Sequence, residues 1–123
     1  MLTQNTLTLT DVMKHDDFIF ALCTFVDEFK RNIERLHMII DPPQHDGIQG
    51  EQLCILAATA HKLANEHDIT VPEWVHHSFY KMPYPIFAFN TTNKDYQAFL
   101  LQNTPYEFAS KNIYAGANAI ERR

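Results

Sequence analysis

Histidine is the residue type in this chain with the most chemical potential, and the sequence contains seven of them. His61 and His67 lie six residues apart, so on one helix their side chains point about 240° away from each other, unlike the i, i+4 pair that binds zinc on one face. A composite metal site built from His67, Asp68 and His76 is an alternative that the spacing leaves open. The favoured interpretation is surface and half-buried imidazoles, with no bound metal or other cofactor.

Nucleophilic and phosphate-binding chemistry lacks its usual sequence patterns. The chain has no G-x-S-x-G motif, and its three glycines are too few for a glycine-rich phosphate loop. Cys23 and Cys54 lie in apolar periodic stretches without CxxC spacing, which predicts reduced core residues. The protein is therefore predicted not to be an enzyme, and a small metal-dependent hydrolase is kept as an alternative.

Length and composition predict one compact domain. The chain has 123 residues, of which 46% are hydrophobic, enough apolar mass for one core but too little length for two. The domain is predicted to span residues 1–123, with residues 1–9 as a flexible N-terminus. No signal peptide and no apolar run of about 18 residues is present, so we expect a cytoplasmic protein without a membrane partner.

The charge of the chain is acidic and unevenly distributed. The formal net charge is -5, and residues 1–50 hold four Lys and Arg against eight Asp and Glu. Nucleic-acid affinity depends mainly on clustered Lys and Arg. Binding of nucleic acid by the isolated chain is therefore not expected.

Two stretches have the apolar spacing of long helices. The first runs from Asp16 to Ile40 and ends at the DPP sequence, because the residue before proline is pushed out of the helical region. Its apolar positions are Phe18, Leu22, Phe25, Phe29, Ile33, Leu36 and Ile40. The second covers residues 51–68. Its apolar positions are Leu53, Leu56, Ala57, Ala60, Leu63 and Ala64.

The rest of the chain predicts shorter elements. Prolines at 72, 83 and 85 rule out a long helix in that region, so we expect a short helix at Pro72–Phe79 followed by an irregular apolar loop. A third helix is predicted at Lys94–Gln102, presenting Tyr96, Phe99 and Leu100. The fold class that follows is all-α: a compact bundle of four to six helices with a proline-broken aromatic loop and a docked C-terminal tail.

The C-terminal tail has the signals of a capped turn that enters the core. Thr104 before Pro105 predicts an N-cap and a brief helix with Phe108 pointing inward. Asn112 can leave that helix in a left-handed conformation, after which Ile113 and Tyr114 are predicted to cross the core in an extended form. Residues 117–122 are predicted to add a final turn.

The aromatic loop is the best candidate for a binding surface. Aromatic side chains are enriched at binding hot spots, and this loop carries more of them than a proline-broken segment buries easily. Trp74 is predicted to belong to the core. The predicted partner-binding residues are Tyr80, Lys81, Tyr84 and Phe87. The alternative is that most of these side chains plug the core.

The order TPYEFASKNIYAGANAIER, after VDEFKRN, DPP and LAATAHKLANEHDITVPEWV, resembles a group of bacterial helical domains. Those domains close with Ser/Thr-Pro-x-x-Phe, a polar stretch and Asn/Gly-Ile-Phe/Tyr, and the likeness covers about residues 18–122. They occur alone or behind helix-turn-helix segments and look like antitoxins or regulators. This chain departs from them in having Ala109, Ser110 and Lys111 where the polar stretch is usually arginine-rich, which puts an anion contact there in doubt.

The resemblance implies a non-enzymatic protein-binding module that neutralises or regulates a toxin-like protein. The acidic first half of the chain would suit a basic partner. A DNA-associated accessory regulator is the alternative within binding proteins, and the missing basic stripe is the argument against it. A homodimer is also left open by the sequence.

Overall fold

The computed structural model of the protein describes residues 7–31 and 35–116. This part of the chain is mostly helical and contains one small parallel sheet of two strands. The α-helices are α1 (Leu9–Lys14), α2 (Phe18–Arg31), α3 (Arg35–Ile39), α4 (Glu51–Glu66), α5 (Lys94–Asn103) and α6 (Tyr106–Ala109). The strands are β1 (Ile86–Phe87) and β2 (Ile113–Tyr114), and short 3₁₀ helices cover Glu73–His76, Ser78–Tyr80 and Ala88–Asn90.

Helix α4 is the centre of the fold, because it is buried nearly all round from Leu53 to Ala64. Its alanines let neighbours approach closely: α1, α2, α6 and the 3₁₀ turns of residues 73–80 all pack against it. The predicted apolar positions of this helix are confirmed as buried. A helix covered on all faces must also bury polar residues, and Thr59, His61 and Lys62 are buried here.

The long first helix predicted for residues 16–40 corresponds to α2 and α3, and residues 32–34 lie outside the described part. In α2 the predicted core positions Phe18, Phe25 and Phe29 are buried. In α3 and at the residue after it the prediction is wrong, since Leu36 is 40% and Ile40 50% exposed while Met38 and Ile39 are buried. If the spacing of three and four in α2 continued through α3, Leu36 would be buried. The buried residues of α3 are Met38 and Ile39 instead, which point in other directions around the helix axis.

Helix α1 was not predicted: residues 1–9 were interpreted as a flexible N-terminus, and residues 10–15 were assigned to no element. Thr8 and Asp11 form a capping box, in which each side chain accepts a hydrogen bond from the backbone of the other. Leu9 and Val12 then enter the core. The T-x-x-D spacing was the available signal, and residues 1–6 lie outside the described part.

The region predicted as a helix at Pro72–Phe79 forms two 3₁₀ turns instead. His77 separates them, because it adopts an extended conformation and its Nδ1 accepts from the Phe79 N–H at 3.0 Å. Trp74 is half-buried against the core, and its indole N–H donates to the Ile39 carbonyl at 3.0 Å. That bond joins the turns to the end of α3.

The C-terminal tail docks as predicted in most respects. Phe108 is 1% exposed, and Asn112 has a φ of 64° before the extended residues Ile113 and Tyr114. Those residues pair in parallel with β1, so the small sheet corrects the all-α description. The predicted N-cap is also wrong: Pro105 takes that position, while the Thr104 hydroxyl donates to Leu100 O. Residues 117–122 lie outside the described part.

Within the described ranges, none of the helices combines the length and the apolar character that crossing a bilayer requires.

Candidate partner-binding surface

The four residues predicted to bind a partner have different environments. Tyr80 is 5% exposed, so the prediction that it reaches the surface is wrong. Lys81 is exposed and Tyr84 is 59% exposed, as a binding residue requires. Phe87 is half-buried because its ring stacks on Tyr114, with 5.5 Å between centroids. Tyr84 and Lys81 are therefore the two of the four that can meet a partner without rearrangement.

Tyr80 is buried because aromatic rings surround it. Trp74 and Phe79 each contact its ring edge-on at a centroid distance of 5.2 Å, and burial raises the pKa of the Tyr80 phenol. The Gln49 side-chain amide donates to the carbonyl oxygens of Phe79 and Lys81 at 2.8 and 2.7 Å. His45 stacks on Phe79 at 4.7 Å. Trp74, Phe79 and Tyr80 thus pack into or against the core, as the alternative for this loop predicted.

Phe89 is the most exposed large apolar side chain among the described residues, at 92%. It has a φ of 59° and the following residue, Asn90, has a φ of 52°. A left-handed backbone is acceptable for asparagine but unfavourable for a bulky residue such as phenylalanine. The fold therefore holds an aromatic ring in solvent on an unfavourable backbone, and such strain is found disproportionately at functional sites.

Helix α5 continues this exposed apolar character. The Asn93 side chain caps it by accepting from the Tyr96 N–H at 2.9 Å. Leu100 is its one buried residue, while the Tyr96 and Phe99 rings lie in contact near the surface at a centroid distance of 6.2 Å. Phe99 is 55% and Leu101 52% exposed. A helix that buries one apolar side chain and exposes several is typical of a surface that another molecule covers.

We call residues 84–101 the aromatic segment. Five of the eleven exposed large hydrophobic residues in the described part belong to it. They are Tyr84, Phe89, Tyr96, Phe99 and Leu101. Exposed side chains of this kind are suited to non-covalent recognition through aromatic and apolar contact.

The tail is the support on which the aromatic segment rests. Asn112 accepts from the Ile86 N–H at 2.8 Å through its carbonyl oxygen, and its side-chain amide donates to Met82 O at 2.8 Å. The Met82 N–H donates to Lys111 O at 3.1 Å. Both ends of the exposed Pro83–Pro85 turn are thus bonded to one stretch of the tail.

Lys111 is buried instead of facing solvent, with 5% of its surface exposed. Its ammonium donates to the Val75 carbonyl, and burial lowers its pKa. The one basic residue of the stretch 109–111 is therefore engaged in the core. Burial also raises the pKa of the nearby Cys54 thiol to about 11, which keeps it in the unreactive thiol form.

The histidines pair differently from the composite site that the sequence left open. His67 lies against Phe29 with ring centroids 5.3 Å apart, whereas His76 lies edge-on to His61 at 5.2 Å. In the described part of the chain, no three His, Cys, Asp or Glu residues form a group that could hold a metal ion. The contact between His61 and His76 was not predicted, because the two residues lie on different elements and the spacing within one helix does not bring them together.

Two open grooves lie elsewhere on the protein. One, of about 460 Å³, is lined by the end of α1, the loop before α4 and the first turn of α4. The other, of about 370 Å³, lies between the start of α1 and residues 37–44. Neither of these two grooves is lined by residues of the aromatic segment.

The exposure of Phe89 had no signal in the sequence, since nothing local marks a left-handed phenylalanine. The exposure of α5 did have one. Leu100 and Leu101 are adjacent, so their side chains point about 100° apart around the helix axis. A single face of α5 packed on the core therefore does not cover Phe99, Leu100 and Leu101 together.

Comparisons with family models, with curated proteins and with solved structures found no match to this chain.

Proposed function

We propose that the protein is a non-enzymatic binding module that neutralises or regulates a toxin-like protein partner, and that the partner contacts the aromatic segment. The observation that carries this proposal is Phe89, 92% exposed on a left-handed backbone. A phenylalanine in solvent gains nothing for folding, and its backbone conformation costs about 1–2 kcal/mol. A bound partner would bury the ring, and the free energy of that burial would offset the cost of the backbone conformation.

The composition of the surface supports a protein as the partner. Tyr84, Phe89 and Phe99 are rigid aromatic side chains, which lose little conformational entropy on binding and dominate many interfaces. The formal charge of -5 favours association with a basic partner. The specific role that we propose, antitoxin-like neutralisation, comes from the resemblance of the tail motifs to those of the bacterial helical domains.

The test is co-expression with the product of the neighbouring gene, followed by measurement of the affinity between the two purified proteins. Tyr84→Ala and Phe99→Ala should each weaken binding by about tenfold or more, as hot-spot truncations do. Both side chains are more than half exposed, so melting temperatures should stay close to that of the wild type. Ile48→Ala is the matched control, since Ile48 is 70% exposed and lies outside the segment.

Equal affinity of the wild type and both aromatic variants would contradict the proposed surface. The DNA-associated alternative has its own signature: sub-micromolar binding of duplex DNA by the isolated protein, with affinity falling steeply as salt rises. We expect no such binding, because the net charge is -5 and Lys111 is buried.

A further inference from the structure

His61 is a buried titratable side chain that lies beneath residues of the protein surface. It lies on the central helix α4 and is 7% exposed. Its Nδ1 atom is buried and has no hydrogen-bond partner among the described residues. Buried polar atoms without partners are rare in proteins, and each one calls for an explanation.

Because the buried Nδ1 atom has no hydrogen-bond partner in the described part of the chain, the neutral form of the imidazole is favoured over the protonated form. We infer that the proton is on Nε2, because a buried lone pair without a donor is less unfavourable than a buried N–H without an acceptor. Protonation puts an N–H on Nδ1 as well. The imidazolium ion would then be a buried charge with an unsatisfied donor, which destabilises the packed state.

Groups from three sides face this ring. His76 of the 3₁₀ turn Glu73–His76 contacts it edge-on at 5.2 Å, and Tyr106 of α6 contacts it at 6.2 Å. Glu107 follows Tyr106 and accepts from the Asn65 side chain at 2.7 Å. Lys111 lies beyond α6, and on α4 itself Lys62 is paired with Glu66. His61 thus joins α4 to both the tail and the 3₁₀ turn.

The electrostatic balance agrees with this geometry. Burial lowers the pKa of His61, Glu107 acts in the opposite direction, and His76 and Lys111 add to the lowering. The unfolded chain therefore binds this proton more readily than the folded protein. Stability from neutral His61 is complete above a pH of about 6.5, and it is lost as the pH falls from there towards the lowered folded value.

We propose that His61 is a pH-sensitive latch: neutral, it holds α6 and the 3₁₀ turn on α4, and protonated, it loosens both. Because the tail supports β1 and the Pro83–Pro85 turn, loosening α6 also loosens the base of the aromatic segment. The latch is a property of the isolated chain. It stands independently of the proposed partner, and its test uses no partner.

The first measurement is the melting temperature as a function of pH for the wild type and for His61→Gln, which stays neutral at every pH. Between about pH 7.5 and 5.5 the wild type should lose about 3–6 °C more than His61→Gln loses. His37→Gln is the control, because His37 is an exposed histidine on α3, and it should keep the wild-type pH dependence. Equal pH dependence of the wild type and His61→Gln would overturn the proposal.

The second measurement keeps the proposal testable if His61→Gln does not fold. NMR titration of the wild-type imidazoles should give His61 a pKa below about 6.5. Amide exchange of residues 106–114, corrected for intrinsic rates, should accelerate on acidification more than exchange of α2 does. A His61 pKa at or above the ordinary value, or uniform acceleration across the protein, would contradict a local latch.

Discussion

Replacing Phe108 by alanine should lower the free energy of unfolding by about 3–5 kcal/mol, the usual range for a buried phenylalanine. The side chain is 1% exposed and belongs to α6, which packs against α4. Its loss leaves a cavity beneath the tail, and a domain of this size has only about 5–15 kcal/mol in total. Urea denaturation of the isolated protein measures the difference directly.

Ile48→Ala is again the control, since Ile48 is a large apolar side chain that is 70% exposed. It should change stability by less than about 1 kcal/mol. If Phe108→Ala is as stable as the wild type but loses the partner, the tail itself is the recognition element and the assignment of the two surfaces is reversed.

Lys111→Ala should destabilise the protein by about 2–3 kcal/mol, of which about 1 kcal/mol is the net loss of the hydrogen bond from the ammonium to the Val75 carbonyl. The variant also removes the buried aliphatic stem of the lysine. Lys111→Met keeps most of that stem and removes the buried charge, so it should cost only about 1 kcal/mol. Chemical denaturation of the three proteins side by side gives the comparison.

The relative stabilities of Lys111→Met and Lys111→Ala show whether the ammonium or the aliphatic stem stabilises the tail. If Lys111→Met is as unfavourable as Lys111→Ala, the ammonium and not the stem is what stabilises the tail. If neither substitution changes stability, Lys111 is not held in the core and is free to meet an anionic ligand.

Local sequence patterns predicted the elements whose stability is local. The spacing of Leu53, Leu56 and Leu63 indicated α4, and its small residues indicated close packing. Asn112 was predicted to be left-handed from its residue type and position, which the φ of 64° confirms. The burial of Phe108 was also predicted correctly, although the Thr104 N-cap from which it was inferred is not formed.

The predictions that failed depended on contacts between distant parts of the chain. Tyr80 is buried because Trp74 and Phe79 enclose it and because Gln49, about 30 residues away, bonds the backbone on both sides of it. No local pattern carries that information. In α5 the apolar spacing indicates that one face does not cover Phe99, Leu100 and Leu101 together, but it does not say which of them is buried, so Leu100 and Phe99 were not distinguished.

The central claim is that the Phe89 ring is exposed in order to bind a partner, and the affinity of Phe89→Gly for the product of the neighbouring gene tests it most directly. Glycine adopts a φ of 59° without strain, so this variant should be as stable as the wild type or more stable, by up to about 1 kcal/mol. We predict that its affinity nevertheless falls by about tenfold or more. Wild-type affinity in a folded Phe89→Gly protein would contradict the account.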